Sequence, residues 1–505
     1  MCQGRALLPF LIVFSWLAAP ASTRADIRHE EVRQSIERGV TYLRREQRED
    51  GSWPERGGHP GGITALCTLA LLNCGVPAED PQVQSALNYL RGHEPKMTYA
   101  AALQTMVFCA AEPKTSQALV RRNVLWFEQQ QNRGGPMKGA WGYPQAGGDN
   151  SNTQFALLAL HEAQRIDVPV NNQTWQMALD HWQRTQNDDG SWGYKPGSPG
   201  SGSMTCAGIT SLIIAADKLN EGDARIEQGR VVCCGEQEDN TAIDRAQAWM
   251  ARAFSVHSNP GDHQWLLYYL YGVERVGRLT NQRFIGRHDW YREGAALLVK
   301  SQDELSGFWK GTGLAEDDTR VATALSLLFL AKGRRPVLAA KLKHLPASDW
   351  NHHRSDLANL TSYIETRWER ELTWQVIDSK VAKPDDLLEA PVLFISGNLE
   401  PEFSDEEVRH LREYVNRGGF IFAESCCGGE DLNKGFNQGF RALVDRMFPE
   451  PEYKLRQLPP EHPAYSAEER VDPRYTRLLF GVDVGCRTSV IYVPQNLSCY
   501  WELAR

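Results

Sequence analysis

Basic charge is scarce in this 505-residue chain, where 55 Lys and Arg stand against 63 Asp and Glu, a net charge of −8, and no basic face is visible. Nucleic acid is therefore an unfavoured partner, because phosphate backbones are held by concentrated positive surface. Long apolar runs are also missing after the N-terminus. The run from Ala6 to Ala19 is too short for a span, and it lies between Arg5 and the small residues Ala21 and Ala25, as in a secretory signal. Later apolar stretches are broken by polar residues every turn or two, so no membrane span is expected once the signal is removed. No Leu-x-x-Cys lipid-attachment pattern stands near the cleavage point. These absences predict a signal peptide over residues 1–25 and a mature protein that is secreted or periplasmic.

Cysteine is present without the spacing of a disulfide framework. Cys67, Cys74, Cys109 and Cys206 fall in apolar stretches read as buried helices, where a free thiol behaves as a small hydrophobe. Apart from Cys2 in the predicted signal, the others are Cys233, Cys234, Cys426, Cys427, Cys486 and Cys499. A tandem pair bonds awkwardly to itself, so a bridge from Cys426 or Cys427 to Cys486 or Cys499 is expected.

What the chain does have is a repeat. Four segments share a Gln followed by a Gly/Trp turn: Gln47 to Trp53 (QREDGSW), Gln131 to Trp141 (QNRGGPMKGAW), Gln186 to Trp192 (QNDDGSW) and Gln302 to Trp309 (QDELSGFW). Each follows an amphipathic stretch and precedes an almost wholly apolar one, and two further pairs (Val83 to Ala111, Ala242 to Gly277) keep the rhythm without the signature. A helix apolar on nearly all sides must be buried, whereas one with a single apolar stripe lies outside it. Six outer/inner pairs suffice to close a ring, since one pair cannot cover its own apolar face. The arrangement resembles the terpenoid cyclase and protein prenyltransferase toroid, an (α/α)6 barrel with QW motifs. That resemblance implies an all-α toroid over residues 28–340.

A connector with a helix is expected over 341–388. From 389 to 505 the pattern turns to strand, helix, strand, helix: PVLFIS from Pro391, a Ser-started and Gly-stopped helix from Ser404 to Gly419, FIFAES from Phe420, then a turn and helix, with later strands near Leu478 and Ser489. This alternation implies a parallel sheet with right-handed crossovers. The segment resembles a bacterial domain of unknown function with the class I glutamine amidotransferase-like, flavodoxin-like three-layer α/β fold. The fold class expected is thus multidomain, a toroid followed by an α/β domain. The amidotransferase resemblance would make Cys426 or Cys427 a nucleophile on the strand-to-helix turn. Ala423 and Glu424 stand where that turn needs Gly, and no His-x-Glu pair follows.

The starts of the inner helices face the ring mouth, where helix dipoles favour polar ligands. They carry Asp149, Asn152, Cys206, Asp262, His263 and Trp265. The cyclase resemblance asks for an Asp-x-Asp-Asp acid, and Ala315-Glu316-Asp317-Asp318 offers only Asp317 and Asp318. The prenyltransferase resemblance asks for a zinc site of Asp-x-Cys plus His; Cys206 and His263 sit at comparable helix starts, but Met204 replaces the carboxylate. Two ligands do not make a zinc centre, so no metal and no cofactor is expected. Cys234-Gly235-Glu236-Gln237 resembles the Cys-Gly-Glu-Gln of complement-type thioester proteins, which implies a thioester between Cys234 and Gln237. The reading that follows is an exported envelope protein acting as a non-catalytic binding or scaffolding module. Its ring would hold an apolar, isoprenoid or peptide ligand, and its α/β domain would hold an envelope partner. A terpenoid-cyclase-like enzyme is the alternative, and a thioester acyl donor the third reading.

Overall fold

An amphipathic helix followed by an apolar one recurs six times, and in the computed structural model each pair becomes an outer and an inner helix. The structure describes residues 27–55, 60–143, 147–219, 225–227, 230–232, 241–347, 349–426, 431–472 and 478–503. The pairs are α1 (His29–Arg45) with α2 (Gly62–Asn73), α3 (Pro81–Arg91) with α4 (Thr98–Ala111), and α5 (Gln117–Gln130) with α6 (Asn150–Arg165). They continue with α7 (Asn172–Thr185) and α8 (Gly202–Leu219), α9 (Thr241–Ala253) and α10 (Leu266–Thr280), α11 (Trp290–Ser301) and α12 (Thr319–Leu330). Each inner helix packs on the next, and α12 packs back on α2, so the six inner helices form a closed ring. Two short hairpins, β1 (Gly142–Tyr143) with β2 (Gly147–Gly148) and β3 (Arg225–Glu227) with β4 (Arg230–Val232), decorate its loops.

The four Gln/Trp turns make one repeated joint. Each Gln side chain donates both to its own turn and to the first two turns of the next outer helix: Gln47 to Gly51 and Gln82, Gln131 to Gly139 and Thr174, Gln186 to Gly190 and Ala242, Gln302 to Gly307 and Ser35. Each indole N–H donates to the carbonyl four residues before the Gln, on Leu43, Phe127, Trp182 and Leu298. Each Trp backbone N–H donates to a Thr hydroxyl of the following inner helix, Thr64, Thr153, Thr205 or Thr323. The N–H groups of each Gln amide and each Trp at the joint are thereby paired. Gly51, Gly139, Gly190 and Gly307 take φ of 80° to 93° and press on the backbone of the next outer helix, where a Cβ would meet a carbonyl oxygen within 2.7 Å. Only glycine meets both conditions without strain.

The second domain starts earlier than expected. β5 (Val337–Lys343) is an inner strand of a seven-stranded sheet, followed by α13 (Asp356–Trp368), β6 (Thr373–Asp378) and α14 (Pro384–Leu387), so residues 341–388 belong to the α/β domain and are no connector. The signal was present in VLAAKLK and TWQVID; in both, short strands flanked by charge were outweighed by neighbouring helical spacing. β7 (Val392–Gly397), α15 (Asp405–Asn416), β8 (Phe420–Ser425) and α16 (Gly435–Met447) follow as read from sequence, then β9 (Arg456–Gln457), β10 (Phe480–Val484), β11 (Arg487–Val493) and α17 (Ser498–Glu502). The sheet order is β6-β5-β7-β8-β11-β10-β9, parallel from β6 to β11 and antiparallel beyond. The main core lies against α15 and α16, with Leu411, Phe436 and Phe440 on Leu393, Ile395 and Ile421. The other face, under α13 and α17, holds Leu357 and Trp501 against Phe394 and Phe422.

The two domains are sewn together by the loop between α10 and α11. Arg283 N–H donates to Val376 O at 2.8 Å and Val376 N–H to Asn281 O at 2.7 Å, which adds the loop to edge strand β6. Phe284 enters the second core, and Arg283 and Arg292 both pair with Glu389.

Candidate functional site

The mouth of the ring is built around the start of α6. Asp149, 3% exposed, caps that helix: its carboxylate accepts from the Asn152 N–H at 2.9 Å, the Ser151 hydroxyl at 2.7 Å and the Asn152 amide at 2.8 Å. Asn150 donates to Gly193 O and meets His181 Nε2 at 2.9 Å. Burial pushes the His181 imidazole down to about 4, so it is neutral at pH 7.

Above this cap stand aromatic side chains that the sequence reading did not single out. Phe155 of α6 lies 4.6 Å from Tyr99 of α4, 6.2 Å from Tyr268 and 5.9 Å from Tyr271, both of α10, between ring centroids. The helices α6 and α10 are not neighbours in the ring, so these side chains meet across its hollow. The Tyr268 hydroxyl donates to Gln154 at 3.0 Å, closing the same gap. The hollow is thus narrowed at this level by its own aromatic lining. Tyr143 stacks on Tyr99, and Tyr194, 46% exposed, carries the aromatic surface out to the rim. A Tyr within the first turn of an apolar helix, as in Thr98-Tyr99 and Leu267-Tyr268, was the available signal.

The remaining mouth residues do not converge. Cys206 is fully buried within α8 against Gly272, and burial drives its thiol up, whereas His263 is exposed and Asp262 accepts from the Gln264 N–H. Among the described residues no group of three His, Cys, Asp or Glu side chains is placed to hold a metal ion. Trp265 precedes α10 in a left-handed conformation, φ 64°, with its ring against Gly313. Glu316 is fully buried and caps α10 in trans, its carboxylate accepting from the Tyr268 N–H at 2.7 Å; burial raises it. Asp318 caps α12 and is paired with Arg320 at 2.8 Å, while Asp317 is exposed. These carboxylates hold helix starts. Cys234 and Gln237 lie outside the described residues, as do Cys427 and the predicted signal peptide.

In the α/β domain Cys426 is buried and free, and burial pushes its thiol up to about 12, aided by the Glu424 carboxylate. A thiol in that state is no nucleophile at neutral pH. Cys486 is free and exposed, and Cys499 is disulfide-bonded to a partner outside the described residues. Cys426 and Cys486 therefore take no part in the expected bridge, and its remaining form, Cys427 with Cys499, falls on a residue outside the described ones. Beside Cys426 lies a buried polar cluster that sequence reasoning missed. Lys341 Nζ bonds Asp356 at 2.8 Å and His353 O at 2.6 Å; His353 Nδ1 meets the Ser498 hydroxyl at 2.6 Å; that hydroxyl and the N–H groups of Leu497 and Ser498 all bond Glu424.

Residues 339–505 match a family described as a domain of unknown function, DUF4159. No curated protein matches the chain. Among solved structures, the chain is similar to a variant of the type II terpene cyclase MstE from Scytonema in complex with merosterolic acid A, at 12% identity over 60% of this chain and 97% of that one, with a TM-score of 0.42. It is similar to Candida albicans protein geranylgeranyltransferase-I complexed with GGPP at 13% identity, over 58% and 89%, with a TM-score of 0.39. A possible member of the GH105 family from Klebsiella pneumoniae is similar at 13% identity over 64% and 99%, TM-score 0.41. At these identities and scores the likeness carries no argument about activity.

Proposed function

We propose that the chain is an exported binding module whose ring mouth seats an apolar, isoprenoid or peptide ligand on its tyrosine wall. The α/β domain, read as amidotransferase-like and flavodoxin-like, would dock an envelope partner without catalysis. The observation that carries this is the aromatic surface from Phe155 and Tyr99 through Tyr143 to the exposed Tyr194, set beside a capped and fully bonded Asp149. Aromatic faces give contact area at little entropic cost, and the Asp149 carboxylate is already engaged in capping its helix. The basic-then-apolar N-terminus supports export. The test is mass spectrometry of lipids and peptides that co-purify with the protein exported to a periplasm. A ligand retained by the parent and lost from the Tyr99→Ala, Tyr194→Ala double variant supports the reading; an empty ring at every purification stringency removes it.

A terpenoid-cyclase-like enzyme is the second reading, and one observation favours it. Rings that face one another across the hollow would stabilise a developing carbocation. Among the described residues the mouth carboxylates are already engaged, Asp149 with Asn152 and Ser151, Asp318 with Arg320 and Glu316 with the Tyr268 N–H. The thioester donor at Cys234 and Gln237 remains the third reading, resting on sequence.

A further inference from the structure

The last described helix, α17, sits on the thinly covered face of the sheet, with Trp501 against Phe394 and Phe422. Its first turn is fixed by one side chain. Glu424, at the end of β8 and wholly buried, takes the N–H groups of Leu497 at 3.1 Å and Ser498 at 2.8 Å, and the Ser498 hydroxyl bonds its other oxygen. That hydroxyl also meets His353 Nδ1.

Charge does not balance here. Lys341, from β5, is matched by Asp356, from the start of α13, so Glu424 in its ionised form adds an uncompensated negative charge to a site without solvent. Among the described residues the other titratable groups around it do not relieve this. His353, in the loop before α13, is held neutral by burial, down to about 3, with Lys341 adding to the effect. Cys426 stays a thiol, Glu502 of α17 is another carboxyl, and its partner is the Ser355 N–H. The flanking strands β7 and β11 bring Ser396 and Val493 alongside and no charge.

The Glu424–Ser498–His353 chain is satisfied in two ways. With Glu424 ionised, His353 Nδ1–H donates to Ser498 and Ser498 donates to the carboxylate. With Glu424 protonated, its O–H donates to Ser498 and Ser498 turns its proton to the Nδ1 lone pair. Only the second leaves the enclosed cluster neutral overall, and ionised buried carboxyls call for water. We propose that α17 is a proton-linked strap, closed over the sheet while Glu424 carries a proton and lifted by its ionisation to bulk solvent. The disulfide at Cys499 tethers it, so lifting is a local opening of residues 497–502.

The sign follows from linkage. Burial pushes Glu424 up to about 7 in the docked state, against an ordinary value near 4.5 when solvated. A raised carboxyl contributes to docking fully below the solvated value, and the contribution is lost as pH rises through the docked one. Hydrogen exchange of the full chain, corrected for intrinsic rates, reads this directly at the 497–502 amides. Protection there should fall about 30-fold or more between pH 5 and pH 7 and level off above. Glu424→Gln should make it flat, while Glu502→Gln should leave the slope in place. Flat protection in the parent, or a slope that survives Glu424→Gln, overturns the proposal, as does a slope abolished by Glu502→Gln. If Glu424→Gln does not fold, the parent profile decides alone: protection must level off near pH 7, and a fall that continues well above pH 8 or is complete below pH 5 rejects the strap.

Discussion

The side-chain amide of Gln302 donates to the backbone carbonyl of Ser35 at 3.0 Å, joining positions 267 residues apart in the chain. Its oxygen accepts from the Ser35 hydroxyl at 2.7 Å and from Arg38 at 2.6 Å. The same Gln joint that links one repeat to the next therefore also links the last repeat to the first helix, and it closes the ring.

Breaking that closure should be costly. Gln302→Ala leaves a buried hydroxyl and two buried carbonyls without their partner, a loss of about 2 to 4 kcal/mol in urea unfolding. Trp192→Ala, removing a fully buried indole packed on Gly208, should lose about 3 to 5 kcal/mol. Changes under about 0.5 kcal/mol at both sites would mean the joints are ornaments on a ring held by its apolar helices alone.

Domain coupling leads to a second expectation. A fragment of residues 28–340, the bounds read for the toroid, ends inside β5 and would leave Phe284 and the strand-like loop 281–283 uncovered. The fragment should keep its helical circular dichroism but bind apolar dyes and unfold at lower urea than the full chain. In the full chain, Phe284→Ala should cost about 3 kcal/mol and split one transition into two. A single unchanged transition would show that the loop does not couple the domains.

The ring was legible because its signals are local and repeated. A Gly two residues before a Trp, with a Gln upstream of both, needs no partner to be recognised, and an apolar helix declares its burial by composition. The Thr that receives each Trp N–H was not legible, since Thr64, Thr153, Thr205 and Thr323 look like any residue of an apolar run and acquire their role only through the joint. The same holds for Lys341, which reads as a surface residue and is instead buried on Asp356. Charge pairs between distant segments leave no periodic trace. Asp149 and Asp318 were placed rightly at helix starts, but whether they cap or react is decided by donors that spacing does not reveal.

His181 makes stability depend on pH. Its folded value lies near 4 and its unfolded value near 6.5, so the unfolded chain binds the extra proton between these limits. The neutral ring's contribution is complete above pH 6.5 and is lost as pH falls through 4, up to about 3 kcal/mol. Urea unfolding at pH 7 and pH 5 should show the parent losing more stability than His181→Gln. Equal losses would place the proton elsewhere.

Catalysis by the ring can be put to direct test. Squalene and geranylgeranyl diphosphate should be recovered unchanged after incubation with the purified protein, and elemental analysis should find no stoichiometric zinc. The reason is geometric: Asp318 is bound to Arg320, and Cys206 is sealed inside α8 while His263 faces solvent. A cyclised product, or zinc that disappears on Cys206→Ala or His263→Ala, would reverse this view.

The thiols give the final expectation. Under native conditions at pH 8, iodoacetamide should label exposed Cys486 quickly and leave Cys67, Cys206 and Cys426 untouched until the chain is unfolded, because burial raises all three thiols. Labelling of Cys426 at the rate of Cys486 would restore a nucleophile to the β8 turn. Cys234 is the separate case. A thioester forms with loss of ammonia, hides its Cys from alkylation and opens with methylamine to an adduct on Gln237. None of these signs is expected, because the adjacent Cys233 thiol would accept the acyl group at close range. Intact-mass spectra before and after methylamine, with Cys234→Ala as the control, decide it. An adduct on the parent that is absent from the variant would make this a covalent-attachment protein in place of a binding module.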